Sequence, residues 1–276
     1  MCGNYCYWGV LMNKTVVFLH GAWMNPLCWD KFTGFFESRG YRCLAPAWPY
    51  KDQSVADLKR NPPAALGTLG ITEIVDHYAK IIRELDEPPV LIGHSFGGLF
   101  VQMLLDRGLG SAGVAVDSAA PKGIFVLYWT TFRSNLHVLV KPGGWRKVLR
   151  VSRKDFNYAF IHTLPPDEQR AVYDNYVVPE SGRIFFQAAF APVNDIIKVN
   201  FKNGKRAPLL LIAGAEDRIC RAAQIRANFK KYQGSPAVTE YKEFANRTHW
   251  IIGQPGWEEV ASYAAYWLER LPAKDG

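Results

Sequence analysis

The run Gly93-His94-Ser95-Phe96-Gly97 sets a serine hydroxyl between glycines, after the apolar Val90-Leu91-Ile92 and before the apolar stretch Leu99 to Leu105. A serine that ends a buried strand and opens a helix must pass through a sharp, strained turn. Its Oγ then stands clear of the sheet's C-terminal edge, where ligands of open α/β sheets bind. Glycines flank it because strand and helix pass too close for a Cβ, and Gly98 fits the same demand. The G-x-x-x-x-G-K-[ST] spacing and its lysine are absent, so a phosphate loop is not indicated. The chemistry open to Ser95 is nucleophilic attack, which requires a base to take its proton.

Six histidines compete for that task. His94 alternates away from Ser95 on the same strand and reads as structural. His20 ends a strand and reads as a buried hydrogen-bonding group; His77 lies on a helix between apolar stripe residues and reads as a surface group. His137 and His162 fall in a later insertion. His249, in Asn246-Arg247-Thr248-His249-Trp250, follows the last strand and reaches the same sheet edge as Ser95, so it is the expected base. An imidazole base needs a carboxylate to fix its tautomer. Asp217, in Gly214-Ala215-Glu216-Asp217-Arg218, is the expected acid, with Asp117 and Glu216 as rivals. Acyl transfer also needs N–H donors for the developing oxyanion. Phe96, first in the helix after the nucleophile, should supply one. The second should come from His20-Gly21-Ala22-Trp23, with Ala22 the expected donor and Trp23 the alternative. Trp23, Phe125, Trp129 and Trp250 are the expected pocket residues.

The elements that must position these groups follow from hydrophobic period. Thr15 to Leu19, Tyr41 to Ala45, Val90 to Ile92, Ser111 to Val116, Leu209 to Ala213 and Val238 to Phe244 read as short strands. Helical stretches are expected over Leu27 to Ser38, Leu99 to Leu105 and Trp257 to Leu271. The clearest is Ile71 to Leu85, where Ile71, Ile74, Val75, Tyr78, Ile81, Ile82 and Leu85 form one apolar stripe. Asp52 to Gly70 reads as irregular, with Pro62-Pro63 excluding a continuous element. Strands alternating with helices imply parallel βαβ units with helices on both faces. Ala119 to Arg206 breaks the alternation and reads as a mostly helical insertion. The expected division is therefore a core over 1–118 and 207–276 and a cap over 119–206.

On these motifs the chain resembles the α/β-hydrolase superfamily: His20-Gly21-Ala22-Trp23 with Trp29 following, Gly93 to Gly98, and the order Ser95…Asp217…His249. The resemblance covers almost the whole chain. It implies an α/β-hydrolase fold, a mostly parallel sheet of about six strands with helices on both faces and an inserted helical cap. Its compact branch, with plant methyl esterases and hydroxynitrile lyases, begins in a similar way, without the family's first two strands. Serine rather than aspartate at the elbow implies carboxylic ester hydrolysis through an acyl-enzyme, with no cofactor and no metal. The alternatives are a cofactor-free lyase or carbon–carbon bond hydrolase, and a hydrolase-like small-molecule receptor.

Composition narrows the remaining classes. At 276 residues with 49% hydrophobic content, the chain is long enough for a large single core and too apolar for disorder. Five scattered cysteines give no secreted disulfide framework, and Cys2/Cys6 lack zinc-site partners. No apolar run approaches a membrane span, so no integral membrane segment is expected. The absence of Lys or Arg before Lys14 argues against a signal peptide, and with Met12 as an alternative start Met1 to Leu11 reads as a frayed tail. The expected setting is cytoplasmic. The expected partner is a small-molecule ester, not nucleic acid, and a homodimer is left open. The net charge of +8 lies in the insertion: fourteen Lys and Arg stand there against six Asp and Glu, while the remainder balances at nineteen each. Such a surface would favour anionic substrates or an anionic surface.

Overall fold

The structure, a computed structural model, describes residues 15–124 and 128–272. The chain runs β1 (Thr15–Leu19), α1 (Asp30–Glu37), β2 (Arg42–Leu44), α2 (Val55–Arg60), α3 (Ile71–Arg83), β3 (Val90–His94), α4 (Phe96–Asp106) and β4 (Ala112–Val116). The segment that follows holds α5 (Trp129–Leu139), β5 (Val148–Leu149), α6 (Arg153–Phe160), α7 (Pro166–Tyr176), β6 (Glu180–Ser181) and α8 (Gly182–Ala189). The chain then returns through β7 (Leu209–Gly214), α9 (Ala222–Tyr232), β8 (Thr239–Phe244) and α10 (Trp257–Glu269). Phe125 and the tail of residues 1–14, with Cys2 and Cys6, lie outside the described residues.

Six strands form one sheet in the order β2-β1-β3-β4-β7-β8, and every neighbouring pair is parallel. The continuous apolar runs explain this arrangement, since β4 and β7 are buried along their whole length and helices cover both faces. Because all strands point one way, the loops after β1, β3, β4, β7 and β8 emerge at a single edge. Those loops carry His20–Trp23, Ser95, Asp117, Asp217 and His249.

The apolar stripe of α3 is buried at Ile71, Ile74, Val75, Tyr78 and Ile82, with Glu73 in its first turn and Lys80 and Arg83 in its last. On the other face Phe18 stacks on Trp29 at 5.0 Å.

Two local expectations are corrected. The stretch from Asp52 to Gly70 is not irregular throughout: α2 forms because the Ser54 hydroxyl accepts the Asp57 amide proton at 3.1 Å. After the two prolines a 3₁₀ helix spans Ala64–Thr68. The helix expected from Leu27 starts as a 3₁₀ turn, Pro26–Trp29, capped by Asn25. Within 119–206 a two-stranded antiparallel ribbon, Leu149 opposite Glu180, joins the helices. No helix among the described residues is long and apolar enough to cross a membrane. Cys28, Cys43 and Cys220 are free thiols.

Candidate active site

Ser95 lies between β3 and α4 with φ 57° and ψ −120°, a backbone conformation strained for a residue with a Cβ. The turn is held because Gly93 has no Cβ to strike the Gly97 carbonyl, and Gly97 has none to strike that of Leu19. The Ser95 amide donates to the Val116 carbonyl at 3.0 Å, tying the elbow to β4. Ser95 itself is 6% exposed, at the floor of a cavity of about 810 Å³.

His249 and Asp217 are both fully buried, and His249 Nδ1 lies 2.6 Å from Asp217 Oδ2. The other carboxylate oxygen of Asp217 accepts the amide protons of Ile219 and Cys220, at 2.6 and 3.0 Å. These bonds fix the carboxylate, which in turn holds a proton on Nδ1 of His249 between the two side chains. Nε2 of His249 is buried and has no hydrogen-bond partner among the described residues. The ring lies under Phe160, centroids 4.7 Å apart, and Phe160 shares the cavity wall with Ser95. The loop itself is braced by Gln254, whose Oε1 accepts from both the amide and the hydroxyl of Thr248.

The structure places His94 against this group, not away from it. Its Nε2–H donates to the His249 carbonyl at 2.7 Å, with the two rings 4.6 Å apart. Burial, reinforced by the neighbouring His249, holds the His94 pKa well below the usual histidine range. Asp117 is buried beside Asp217 and accepts the Gly214 amide proton at 2.7 Å. Burial first, then the Asp217 charge, pushes its pKa well above the usual carboxylate range. Asp117 is therefore held toward its protonated form beside the carboxylate that holds His249. Glu216 makes no side-chain bond to His249 among the described residues.

The loop after β1 packs directly on the serine, since a Cβ added at Gly21 would sit 2.7 Å from Ser95 Cβ. Two neighbouring amides of this loop differ in their bonding. The Trp23 amide donates to Glu180 Oε2 at 3.1 Å, whereas the Ala22 amide makes no bond among the described residues. Phe96 is first in α4 and so has no intrahelical acceptor for its amide.

Motifs and spacing do not disclose what holds this loop. Glu180 Oε2 also accepts from Lys51 Nζ at 2.6 Å, in a pair with no exposure on either side. The Trp23 carbonyl in turn accepts the Val178 amide proton at 2.8 Å. His20 Nδ1–H donates to the Gly21 carbonyl at 2.9 Å, and Nε2 accepts the Trp48 amide proton at 3.3 Å. Burial, then the Lys51 charge, keeps His20 neutral. Only the pairing of distant elements brings Lys51 and Glu180 together, and neither stands in a motif.

Of the expected pocket residues, Trp23 lines the cavity together with Ala22 and Phe96. Trp129 does not: it is 72% exposed, because the inner side of α5 carries Thr131, Ser134, Asn135 and His137 instead. Trp250 does not either; it is buried against Tyr176, centroids 5.2 Å apart, and its amide donates to the Phe160 carbonyl. Phe125 lies outside the described residues. His77, expected on the surface, is half-buried with Nε2 3.1 Å from the Ala47 carbonyl. His137, which no motif singles out, lines the cavity 5.7 Å from the Trp23 ring; both ring nitrogens are buried and, among the described residues, neither makes a well-formed hydrogen bond, the Ser134 backbone being its one polar neighbour close enough to raise its pKa by hydrogen bonding.

Two sets of buried side chains bring donor types suited to a metal within 4.8 Å of one another: His94, Asp117 and His249, and Asp217, Cys220 and His249. Both sets centre on His249, whose bonds to Asp217 and His94 account for the proximity. Burial and two carboxylates push the Cys220 thiol up, which keeps it a neutral and poor ligand.

A family model described as the alpha/beta hydrolase family matches residues 16–262. Methylesterase 8 of Arabidopsis thaliana is 29% identical over 105 residues, 35% of this chain and 34% of that protein. The match therefore spans about a third of that relative's length. Among solved structures, a methylesterase from Arabidopsis has a TM-score of 0.67 at 15% identity, covering 94% of this chain and 100% of its own. A monoacylglycerol lipase from Paleococcus ferrophilus has a TM-score of 0.65 at 23% identity, covering 92% and 93%. At such identities the structural likeness is one of fold.

Proposed function

The chain belongs to the alpha/beta hydrolase family, and from that premise we propose that it is a carboxylic ester hydrolase working through Ser95, His249 and Asp217. The observation that carries this reading is the 2.6 Å contact of His249 Nδ1 with Asp217, which leaves Nε2 free at the sheet edge where Ser95 is strained outward. A neutral imidazole with its second nitrogen free is the state required of a general base. Hydrogen bonds of this kind are often long before substrate binds and close up in the complex.

In the first step Ser95 Oγ bonds to the ester carbonyl carbon while its proton passes to His249 Nε2. Asp217 stabilises the imidazolium that results. The carbonyl electrons move to oxygen, where the amides of Phe96 and Ala22 meet the charge; the positive end of α4 adds to the same effect. Collapse of the tetrahedral species expels the alcohol, which takes the proton from Nε2. Water then repeats the sequence on the acyl-enzyme and releases the acid. The chain's own residues suffice for each transfer, with no cofactor or metal in the proposal.

The cavity favours small to medium acyl or aryl esters, since Tyr128, Phe132, Phe160, Phe185 and Ile219 line it. A volume of about 810 Å³ suits a ligand of drug-like size. Its charged residues are engaged elsewhere, Lys122 with Asp195 at 2.8 Å and Asp155 with the Ser152 hydroxyl at 2.6 Å.

The test is a panel of p-nitrophenyl esters followed before steady state. A burst of nitrophenol equal to the enzyme, absent in Ser95→Ala, supports the acyl-enzyme, as does a fluorophosphonate adduct mapped to Ser95. Robust cleavage of a cyanohydrin or a β-diketone with ester turnover near background would replace it with a lyase or carbon–carbon hydrolase. Tight ligand binding without any acylation would make the protein a receptor.

A further inference from the structure

The chain's surplus charge belongs to one stretch. Residues 119–154 contain eight Lys and Arg and no Asp or Glu, while 155–206 balance at six and six. Among the described residues only Lys122 and Arg153 of those eight form ion pairs, with Asp195 and Asp174. Six cations without a carboxylate partner thus lie on α5, the turn after it and the start of α6.

The same stretch exposes large apolar side chains: Trp129 at 72%, Phe132 at 49%, Leu136 at 36%, Val140 at 62% and Trp145 at 48%. Residues 129, 132, 136 and 140 are spaced three, four and four apart, so they share one helical face. The other side of α5 carries Ser134, Asn135, His137 and Leu139 toward the cavity, which the half-exposed Phe132 reaches from its edge. An ordinary surface helix turns its apolar face to the core and its polar face to water. α5 buries Val138 on that inner side and in addition leaves an aromatic and aliphatic face outward, rimmed by Lys141, Arg146 and Lys147.

A partner for this face must accept apolar side chains and supply negative charge. A second copy of the chain offers apolar contact but brings another block of eight cations against the first. Nucleic acid supplies the charge and can stack on Trp129, yet it gives Leu136 and Val140 nothing to bury in. An anionic bilayer surface satisfies both requirements, with tryptophan and aliphatic groups at the headgroup level and Lys and Arg among lipid phosphates. We propose that the outward face of α5 and the basic turn after it dock on an anionic lipid surface, setting one wall of the cavity against the bilayer.

The experiment is co-sedimentation of the full chain with vesicles of phosphatidylcholine alone or mixed with phosphatidylglycerol. Binding to the mixed vesicles should exceed binding to the neutral ones by about tenfold or more, and should weaken as salt is added. Trp129→Ser with Val140→Ser should lower binding about tenfold or more. Lys141→Glu with Arg146→Glu should abolish the preference for the anionic vesicles. All four side chains are exposed, so both double variants should melt with the parent and keep its turnover of a soluble ester. Equal binding to the two vesicle types overturns the proposal, as does binding that either double variant leaves intact. A solution dimer dispersed by Trp129→Ser, with no vesicle binding, would assign the face to a second copy instead. Duplex DNA binding that survives loss of Trp129 and Val140, again with no vesicle binding, would assign it to a polyanion.

Discussion

Glu180 in β6 accepts the Trp23 amide proton at 3.1 Å across 157 residues of sequence, and the same oxygen accepts from the buried Lys51 ammonium at 2.6 Å. The bond withdraws one of two neighbouring amides from any oxyanion and fixes the peptide plane that aims the other, that of Ala22. A buried ion pair broken on one side leaves an uncompensated charge. Lys51→Met should therefore lower the unfolding free energy in urea by about 3–5 kcal/mol. Adding Glu180→Gln, which removes the stranded charge and keeps an oxygen for Trp23, should restore most of that loss. Glu180→Ala frees the Trp23 amide and should lower kcat about tenfold, less than the loss of a donor outright. Losses that simply add in the Lys51/Glu180 double variant would show that the two groups do not act as a pair.

Asp217 and Asp117 are both buried near His249, but only Asp217 touches its Nδ1. Asp217→Asn should therefore let His249 take the wrong tautomer, lowering kcat by about four orders of magnitude. Burial and the Asp217 charge favour the neutral form of Asp117, and Asp117→Asn stays neutral and keeps an acceptor for the Gly214 amide. Its kcat should stay within about tenfold of the parent, because the Asp217–His249 bond is untouched. Burst and steady-state rates on one p-nitrophenyl ester decide the matter. The reverse ranking would move the acid of the triad to Asp117.

His137 lines the cavity with two buried ring nitrogens; among the described residues neither is in a well-formed hydrogen bond, and only the Ser134 backbone is near enough to offer a weak one. Unmade hydrogen bonds of this kind cost roughly 1–3 kcal/mol each, which marks the ring as a polar contact kept for substrate. His137→Leu should then raise thermal stability while raising KM for esters that carry a hydroxyl or second carbonyl. Simple alkyl p-nitrophenyl esters should keep their KM. A parallel rise for both ester types would reduce His137 to a packing role.

Much of this site is legible in the sequence because its chemistry is local. Gly93, Ser95 and Gly97 are spaced by the needs of one strand-to-helix turn, and Asp217 and His249 each follow a recognisable strand end. What escapes such reading depends on pairings far apart in the chain. The Lys51–Glu180 bond needs β6 to lie beside the loop after β1, and no period or motif encodes that. Trp129 and Trp250 fail as pocket residues for a related reason. Aromatic character marks a side chain as worth burying, but the rotation of α5 and the packing of Tyr176 decide where it goes. The short α2 is hidden because a six-residue helix stands on its cap and has too few turns to show a stripe.

Stability below neutral pH provides a last test, since buried histidines and Asp117 pull in opposite directions. His20 and His94 are held well below 6.5, each chiefly by burial. Between that lowered value and 6.5 the unfolded chain binds a proton that the native chain refuses. Each histidine therefore removes about 1.4 kcal/mol of stability per pH unit as pH falls below 6.5. Asp117, raised by burial and by Asp217, keeps a proton in the native state that the unfolded chain has released above 3.8. Its contribution grows as pH falls through the raised native value, offsetting one histidine. In urea titrations below pH 6.5, Asp117→Asn should steepen the decline and His94→Gln should flatten it, each by at most about 1.4 kcal/mol per pH unit. An unchanged slope in Asp117→Asn would mean that Asp117 is ionised in the folded protein, and the buried carboxyl beside Asp217 would then carry a charge of its own.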